Sequence, residues 1–343
     1  MRLLIVTQVV DQDHPVLGFF HGWITALASK YERIEVICLQ AGKYELPANV
    51  TVHSLGKEKG RSFRIVYTAR FFSLIWKLRH AYDAVFVHMN QEYILLAGWI
   101  WKSLGKPIYL WRNHFAGSFM TDIAALFCKK IFCTSKFSYT AKYKNTVLMP
   151  VGIDTDLFTS AGERMPNSIL FIARMAPSKR PDLVIEALGL LKKKSLTFTA
   201  SFYGTPDAKD QGYFEQIKLR ALELDLAEHV QFYSAVPNRE TPRIYSVHEI
   251  CINASPSGMY DKTIFEAAAC GCLSLSSNQN LSGAVDGRLL FKEGDADDLA
   301  YKIEGLFTVS QQERAHFMQG YAHLVGENSL TSLIERLIEE VSL

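Results

Sequence analysis

The sequence has almost no charge of either sign to spare. Its 343 residues carry 37 Lys and Arg against 35 Asp and Glu, a formal net charge of +2. That balance removes the basic footprint of a dedicated nucleic-acid binder. With 48% hydrophobic residues it also excludes a disordered chain. Cysteine is scarce. None of the six stands in C-x-x-C spacing, so neither a disulfide framework nor a zinc site is expected, and the thiols read as small buried side chains in a reducing compartment. Long apolar runs are missing too. The greasiest stretch, Tyr93 to Trp101, falls far short of the ~20 residues of a membrane span. The run Met1 to Thr7 is too short for a signal peptide. A soluble, cytoplasmic protein is the expectation. Finally, no G-x-G-x-x-G follows the first apolar run and no G-x-x-x-x-G-K-[ST] occurs anywhere. This disfavours a dinucleotide dehydrogenase and a P-loop NTPase.

What is present is alternation. At about 150 residues per domain the length suggests two domains. Short apolar runs read as strands at Leu3–Val10, Ile34–Leu39, Val50–His53, Ala84–His88, Pro107–Trp111 and Lys130–Cys133. Helical periodicity fills Phe19–Ala28, Arg64–Leu78 and Glu92–Leu104 between them. Thr159 to Asn167 is polar and turn-rich, the alternation then restarts, and the two halves meet near residues 155 to 167. Strands are expected at Ile169–Ala173, Phe198–Tyr203, Val230–Tyr233, Glu249–Asn253 and Cys272–Ser276, and helices at Pro181–Lys193, Tyr213–Leu224 and Phe265–Ala269. Such repetition argues for parallel sheets covered by helices, which bind ligands at the C-terminal ends of their strands, in a cleft between the domains.

Several residues at those strand ends can carry chemistry. Arg174 and Lys179 follow the strand ending at Ala173 and precede Pro181, which opens a helix. Two cations beside a helix start suit a diphosphate, or form a solvated loop pair. The stretch Ser255 to Gly271 places a Pro- and Gly-containing loop before a helix beginning near Asp261 or Lys262. Backbone N–H groups there can cradle phosphate or sugar oxygens. Glu266, early in that helix, can accept hydrogen bonds from two ribose hydroxyls, or be an ordinary helix-start Glu. His88 and His114 stand at strand ends in the first half and can each donate to a ligand or serve packing. Arg61 to Arg79 mixes five cations with Phe63, Phe71, Phe72 and Trp76. It reads either as a helix resting on an anionic membrane or as an amphipathic core helix with a charged outer face.

Taken together these pieces resemble glycosyltransferase family 4. Pro150 to Asp154 with Phe158 is similar to the family's interdomain Pro-Asn-Gly-Val-Asp segment, with Val151 in place of Asn. Phe171 to Lys179 resembles its Gly-Arg-Leu-x-x-x-Lys element, with Ala173 for Gly. Val230–Pro237, Ile244–Tyr245 and Glu266–Gly271 follow in family order. Asp83 to His88 resembles the strand that carries the active-site histidine, Val16 to Phe19 the glycine-containing loop, and Gly287–Phe291 with Asp295–Ala300 the late C-terminal elements.

The resemblance implies an α/β protein of GT-B fold, two Rossmann-like domains facing each other across a cleft. Residues 1–154 would form the acceptor-side domain and 155–326 the nucleotide-sugar-binding domain, with the last helix, within 327–343, packing back on the first. It implies a retaining glycosyltransferase that needs no metal or other cofactor. The partners would be a nucleotide-diphosphate sugar donor and a glycan or lipid-linked acceptor, with no nucleic acid, and a peripheral contact at the inner face of the membrane stays open. Arg174 and Lys179 would bind the leaving diphosphate, His88 would face the donor sugar, and Gly18 would let backbone approach phosphate. Val236, Gly258, Met259, Tyr260, Asp261, Lys262 and Thr263 would line the donor, Glu266 would hold its ribose, and His114 would lie on the acceptor side. The family's first Glu, eight residues before Glu266, is here Gly258. That departure leaves a catalytically silent nucleotide- or sugar-binding relative as the alternative.

Overall fold

The structure is a computed structural model and describes residues 1–60 and 63–342. Arg61, with which the basic aromatic stretch begins, and Leu343, the end of the expected last helix, lie outside the described residues. The chain divides into two compact units, each built on its own parallel sheet.

The first unit contains Met1–Gly152, Pro237–Arg239 and the residues from Leu330 on. Its strands are β1 (Arg2–Val10), β2 (Arg33–Ala41), β3 (Val50–Ser54), β4 (Ala84–His88), β5 (Ile108–Trp111), β6 (Lys130–Cys133) and β7 (Thr146–Leu148). Its first four helices are α1 (Phe19–Ala28), α2 (Arg64–Leu78), α3 (Glu92–Ser103) and α4 (Phe119–Phe127). The strands pair in the order β3-β2-β1-β4-β5-β6-β7, all parallel. Both faces of this sheet are covered, which is why β1 is apolar on both sides apart from Arg2, Thr7 and Gln8. Alternate residues serve opposite layers. Leu3 and Ile5 pack with Trp23 and Leu27 of α1, while Leu4 and Val6 pack with Phe71 and Ile75 of α2, Ile94 and Ala97 of α3 and Ala124 of α4.

The second unit contains Ile153–Val236 and Glu240–Ser329. Its strands are β8 (Ser168–Ile172), β9 (Thr199–Tyr203), β10 (Val230–Tyr233), β11 (Ile250–Asn253) and β12 (Leu273–Ser276). Its helices are α5 (Pro181–Lys193), α6 (Gln211–Glu223), α7 (Thr241–Val247), α8 (Lys262–Ala269), α9 (Ala296–Phe307) and α10 (Gln311–Glu327). The order is β10-β9-β8-β11-β12, again parallel throughout. The strand order reverses between β8 and β11, so the loops leaving these two strands diverge and open a crevice beyond their C-terminal ends.

A last helix, α11 (Leu330–Ser342), returns to the first unit. Leu333, Leu337 and Val341 join the core that α1 builds on the sheet. Tyr109 donates to the Val341 carbonyl at 2.9 Å, and Lys130 pairs with Glu340 at 2.8 Å. Gly152 has φ +74°, and a Cβ there would fall on Leu333 and Trp23, while its carbonyl accepts from Trp23 Nε1 at 3.0 Å. Glycine is the residue this corner tolerates.

Among the described residues no helix is long and apolar enough to cross a membrane. All six cysteines are free thiols. Five elements are missing from the expected strands and helices: β7, with only three residues, α7, with only seven, α4, which turns small residues inward, and α9 and α10.

Candidate functional site

In the second unit the chain leaves β8 at Ile172 and presents Arg174 and then Lys179, at the end of a short 3-10 turn that Pro177 opens. Arg180 takes the left-handed conformation before Pro181 starts α5. On the neighbouring strand, β11 ends at Asn253, and the loop Ala254–Tyr260 leads to Asp261, the N-cap of α8. Lys179 and Asp261 therefore leave adjacent strands at the point of reversal, and they meet.

Lys179 Nζ lies 2.5 Å from Asp261 Oδ2 and 3.2 Å from Ser255 Oγ. The same carboxylate oxygen accepts from Ser255 Oγ at 2.5 Å and from Asn253 Nδ2 at 3.2 Å, and Asn253 also donates to Thr263 Oγ1 at 3.0 Å. Burial alone would raise the Asp261 carboxyl, but the Lys179 charge and these hydrogen bonds outweigh it and hold the group below the usual carboxylate range. Lys179 is thus not a bare cation awaiting a diphosphate. Its charge already faces the Asp261 carboxylate.

Arg174 is paired as well. Its Nη1 lies 2.9 Å from Asp207 Oδ2, in the loop after β9, and both side chains are exposed. Such a pair is worth about 0–1 kcal/mol, so an incoming anion can replace the carboxylate at little cost.

Lys262 opens α8 and is half-buried. Burial pushes its ammonium down to about 7, against the opposing pull of Glu266 and Asp154. The positive end of the helix adds to the discomfort of a cation there. Glu266 lies one turn on, the fifth residue of α8 rather than one of its first turn, and it is buried. The reading of Glu266 as an ordinary helix-start carboxylate falls with that placement. Its Oε2 accepts from Tyr245 of α7 at 3.1 Å, and burial followed by the Glu266 charge raises the Tyr245 phenol well above its ordinary range. Gly258 and Met259 are buried in the same loop, where the Met259 carbonyl accepts from Asn278 at 2.8 Å, and Tyr260 packs edge-on against Phe265. Val236, after β10, packs against the core cluster containing Tyr245.

Three of the remaining residues belong to the first unit. His88 is the last residue of β4 and fully buried, its ring stacked on Phe20 at 3.7 Å and its Nδ1 3.2 Å from Thr7 Oγ1. The strand order reverses between β1 and β4, so His88 stands at this sheet's own switch point. Gly18 is the N-cap of α1, and a Cβ there would come within 2.6 Å of the His14 carbonyl. The loop's own packing therefore demands glycine. His114 lies three residues past β5, where its Nδ1 accepts from the Ala116 amide at 3.0 Å and its ring stacks on Phe115.

The structure brings Arg174, Lys179, Asp261, Lys262, Thr263 and Glu266 to one end of the second sheet. It adds Asp207, Asn253, Ser255 and Tyr245, to which the sequence reading gives no role of their own at the site. Asp207 and Asn253 do carry a signal, since each sits at or just after the C-terminal end of a strand.

Residues 166–308 match the family model of the Glycosyl transferases group 1. The match covers the second sheet from β8 to α9 and with it this whole constellation. Among curated proteins, the chain is 23% identical over 252 residues to the GtfA subunit of the UDP-N-acetylglucosamine–peptide N-acetylglucosaminyltransferase of Streptococcus gordonii, covering 68% of this chain and 48% of that protein. It is 26% identical over 263 residues to the Streptococcus parasanguinis counterpart, covering 70% and 50%. The chain spans about half the length of these relatives. Among solved structures, HepE of Anabaena in complex with UDP and glucose superposes with a TM-score of 0.78 at 14% identity, covering 100% of this chain and 99% of that one. Sucrose-phosphate synthase of Thermosynechococcus elongatus does so with 0.74 at 15%, covering 99% and 98%. The fold is that of the GT-B glycosyltransferases.

Proposed function

We propose that this protein is a metal-independent, retaining glycosyltransferase that moves a sugar from a nucleotide-diphosphate sugar to a glycan or lipid-linked acceptor. The observation that carries this reading is the cluster of Arg174, Lys179, Lys262 and Glu266 at the switch point of a group 1 domain. The UDP-linked names and complexes of its relatives make UDP the first nucleotide to test. Glu266, buried beside Tyr245, would accept from the ribose hydroxyls. Arg174 would exchange Asp207 for the diphosphate, and Lys179 would share its charge between Asp261 and phosphate. With Gly258 where a second carboxylate would stand, Asp261 or Lys262 would supply the contacts to the donor sugar. His88 would serve the transfer step from the first unit, where Gly18 shapes the loop and His114 would act on the acceptor side.

In the reaction the bond between the sugar's anomeric carbon and the β-phosphate oxygen breaks, and an acceptor oxygen bonds to the same face of that carbon. The acceptor's proton passes to the departing phosphate. Charge grows on the diphosphate as the bond lengthens, and cations fixed around it stabilise that charge more in the transition state than in the ground state.

A panel of nucleotide sugars read by thermal shift, followed by product detection with candidate acceptors, tests the proposal. At a hundred times its Kd a ligand stabilises by ~2.7 kcal/mol, a rise of about 5–10 °C for a unit of this size. No shift with any nucleotide or nucleotide sugar refutes the reading. Tight nucleotide binding with no transfer favours the silent relative instead, the reading that Gly258 supports.

A further inference from the structure

Helix α4 is amphipathic in the wrong direction. Ser118 caps it through a box with Thr121, so the helix is well founded. The residues it buries against the sheet are Thr121, Ala124 and Ala125, all small. Its large apolar residues face outward: Phe119 is 72% exposed, Met120 53% and Leu126 75%, with Ile123 and Phe127 half-buried between them. At 100° per residue these five fall within about a third of the helix circumference. A core helix would show the reverse.

The stripe does not stand alone. α4 packs on α3, where Gly98 abuts the Phe127 ring and Lys102 donates to the Leu126 carbonyl at 3.0 Å. Trp99, next to Gly98, is exposed. α2 lies in the same layer, since its Phe71 ring meets Tyr93 and Trp101 of α3. On its outer side Ile65 and Trp76 are exposed, with the Arg79 guanidinium 4.5 Å over the Trp76 ring. The outer face of α2 is therefore not simply charged, as one of the two readings of the sequence has it. The charge that accompanies these apolar residues is mostly of one sign. α2 carries Arg64, Arg70 and Lys77 and no carboxylate, and Arg79, Lys102 and Lys129 stand at the helix ends. The carboxylates of the three helices are Glu92 and Asp122, and Asp122 is held by Lys142 at 2.7 Å. The opposite face of the sheet is closed by α1 and α11.

We infer that the outward surface of α2, α3 and α4 docks on an anionic lipid bilayer, the apolar stripe of α4 entering the headgroup region. Tryptophan and phenylalanine there bury apolar bodies at interfacial depth, while the flanking Arg and Lys side chains keep their charges among lipid phosphates. An apolar stripe ringed by cations matches that medium on both counts. The inference goes beyond glycosyl transfer and holds whether or not the acceptor is lipid-linked.

The test is co-sedimentation of the full chain with phosphatidylcholine vesicles, with and without about a third of phosphatidylglycerol. Wild type is expected to bind the anionic vesicles and to be released by salt. The triple variant F119S/M120S/L126S should bind at least tenfold more weakly, with an unchanged melting temperature because those side chains touch solvent rather than core. W99S alone should weaken binding several-fold and provides a second variant in the neighbouring helix. Wild type that stays in the supernatant, or a triple variant that binds as tightly as wild type, overturns the inference. So does a wild-type dimer that the triple variant converts to monomer while neither binds vesicles, since the face then belongs to a second copy. None of these readouts depends on transfer, so the proposed function stands or falls separately.

Discussion

On the proposed function, Lys262 should make nucleotide binding a function of pH, and the size of the effect follows from its surroundings. Burial leaves its ammonium with a pKa of about 7 in the free protein. A diphosphate arriving at the start of α8 would favour the charged form and raise that value, so binding would take up a proton. If only the charged lysine binds tightly, the apparent Kd is the intrinsic one divided by the charged fraction. With a pKa of about 7, that fraction is about 0.76 at pH 6.5 and about 0.03 at pH 8.5, so affinity should fall about 25-fold across the window. The terminal ionisation of UDP, with a pKa of about 6, lies below this window and offsets the trend only slightly. Calorimetry with UDP in two buffers of different ionisation enthalpy should detect about 0.9 proton taken up at pH 8. K262M should bind UDP weakly at every pH, with a flat profile. The unliganded protein should behave in the opposite sense. Its Lys262 sheds a proton that the unfolded chain keeps until ~10.4, so stability should rise with pH from about 7 towards that value. A flat UDP profile in wild type, or an unchanged slope in K262M, would refute the reasoning.

Arg174→Ala should lower turnover by ~10²-fold at saturating donor while leaving the melting temperature almost unchanged, because its exposed pair with Asp207 adds little to stability; equal turnover would sink the assigned role. Asp261→Asn should cost about 2 kcal/mol of stability by breaking a half-buried pair, yet tighten UDP binding several-fold by freeing the charge of Lys179. Unchanged or weaker UDP affinity in a folded variant would show that Asp261 does not compete for that lysine. Gly152→Ala should destabilise by about 2–4 kcal/mol in urea melts, the sum of left-handed backbone strain and overlap with Leu333 and Trp23, and a loss under 1 kcal/mol would count against that packing.

Most of the fold is legible in the sequence because parallel strands buried on both faces are near-continuous apolar runs. β1, β4 and β6 appear as short apolar runs, and α1, α2 and α5 have apolar stripes with the helical period. α4 could not be read from a core-facing pattern since the core needs only Thr121, Ala124 and Ala125 from it. The position of Arg174 and Lys179 just past a strand end is also legible, because strand ends can be counted along the chain. Their pairing is not. Nothing in the spacing says that Asp207 approaches Arg174 from 33 residues away, or that Asp261 approaches Lys179 from 82. Those contacts depend on strand order, and β8 lies between β9 and β11 only once the sheet is assembled.

The route of α11 sets a schedule for synthesis. The strands of the first sheet are complete by Gly152, but the face that α1 covers receives Leu333, Leu337 and Val341 only after the whole second unit has been made. About 180 residues separate the two events, and at roughly 5–20 residues per second that is a wait of roughly 10–35 s. During it the first sheet carries an uncovered apolar strip on the ribosome, with Tyr109 and Lys130 still lacking their partners on α11. A helix made after the second unit therefore completes a layer begun before it, and a chain halted anywhere before Leu330 would present that strip to chaperones or to its neighbours.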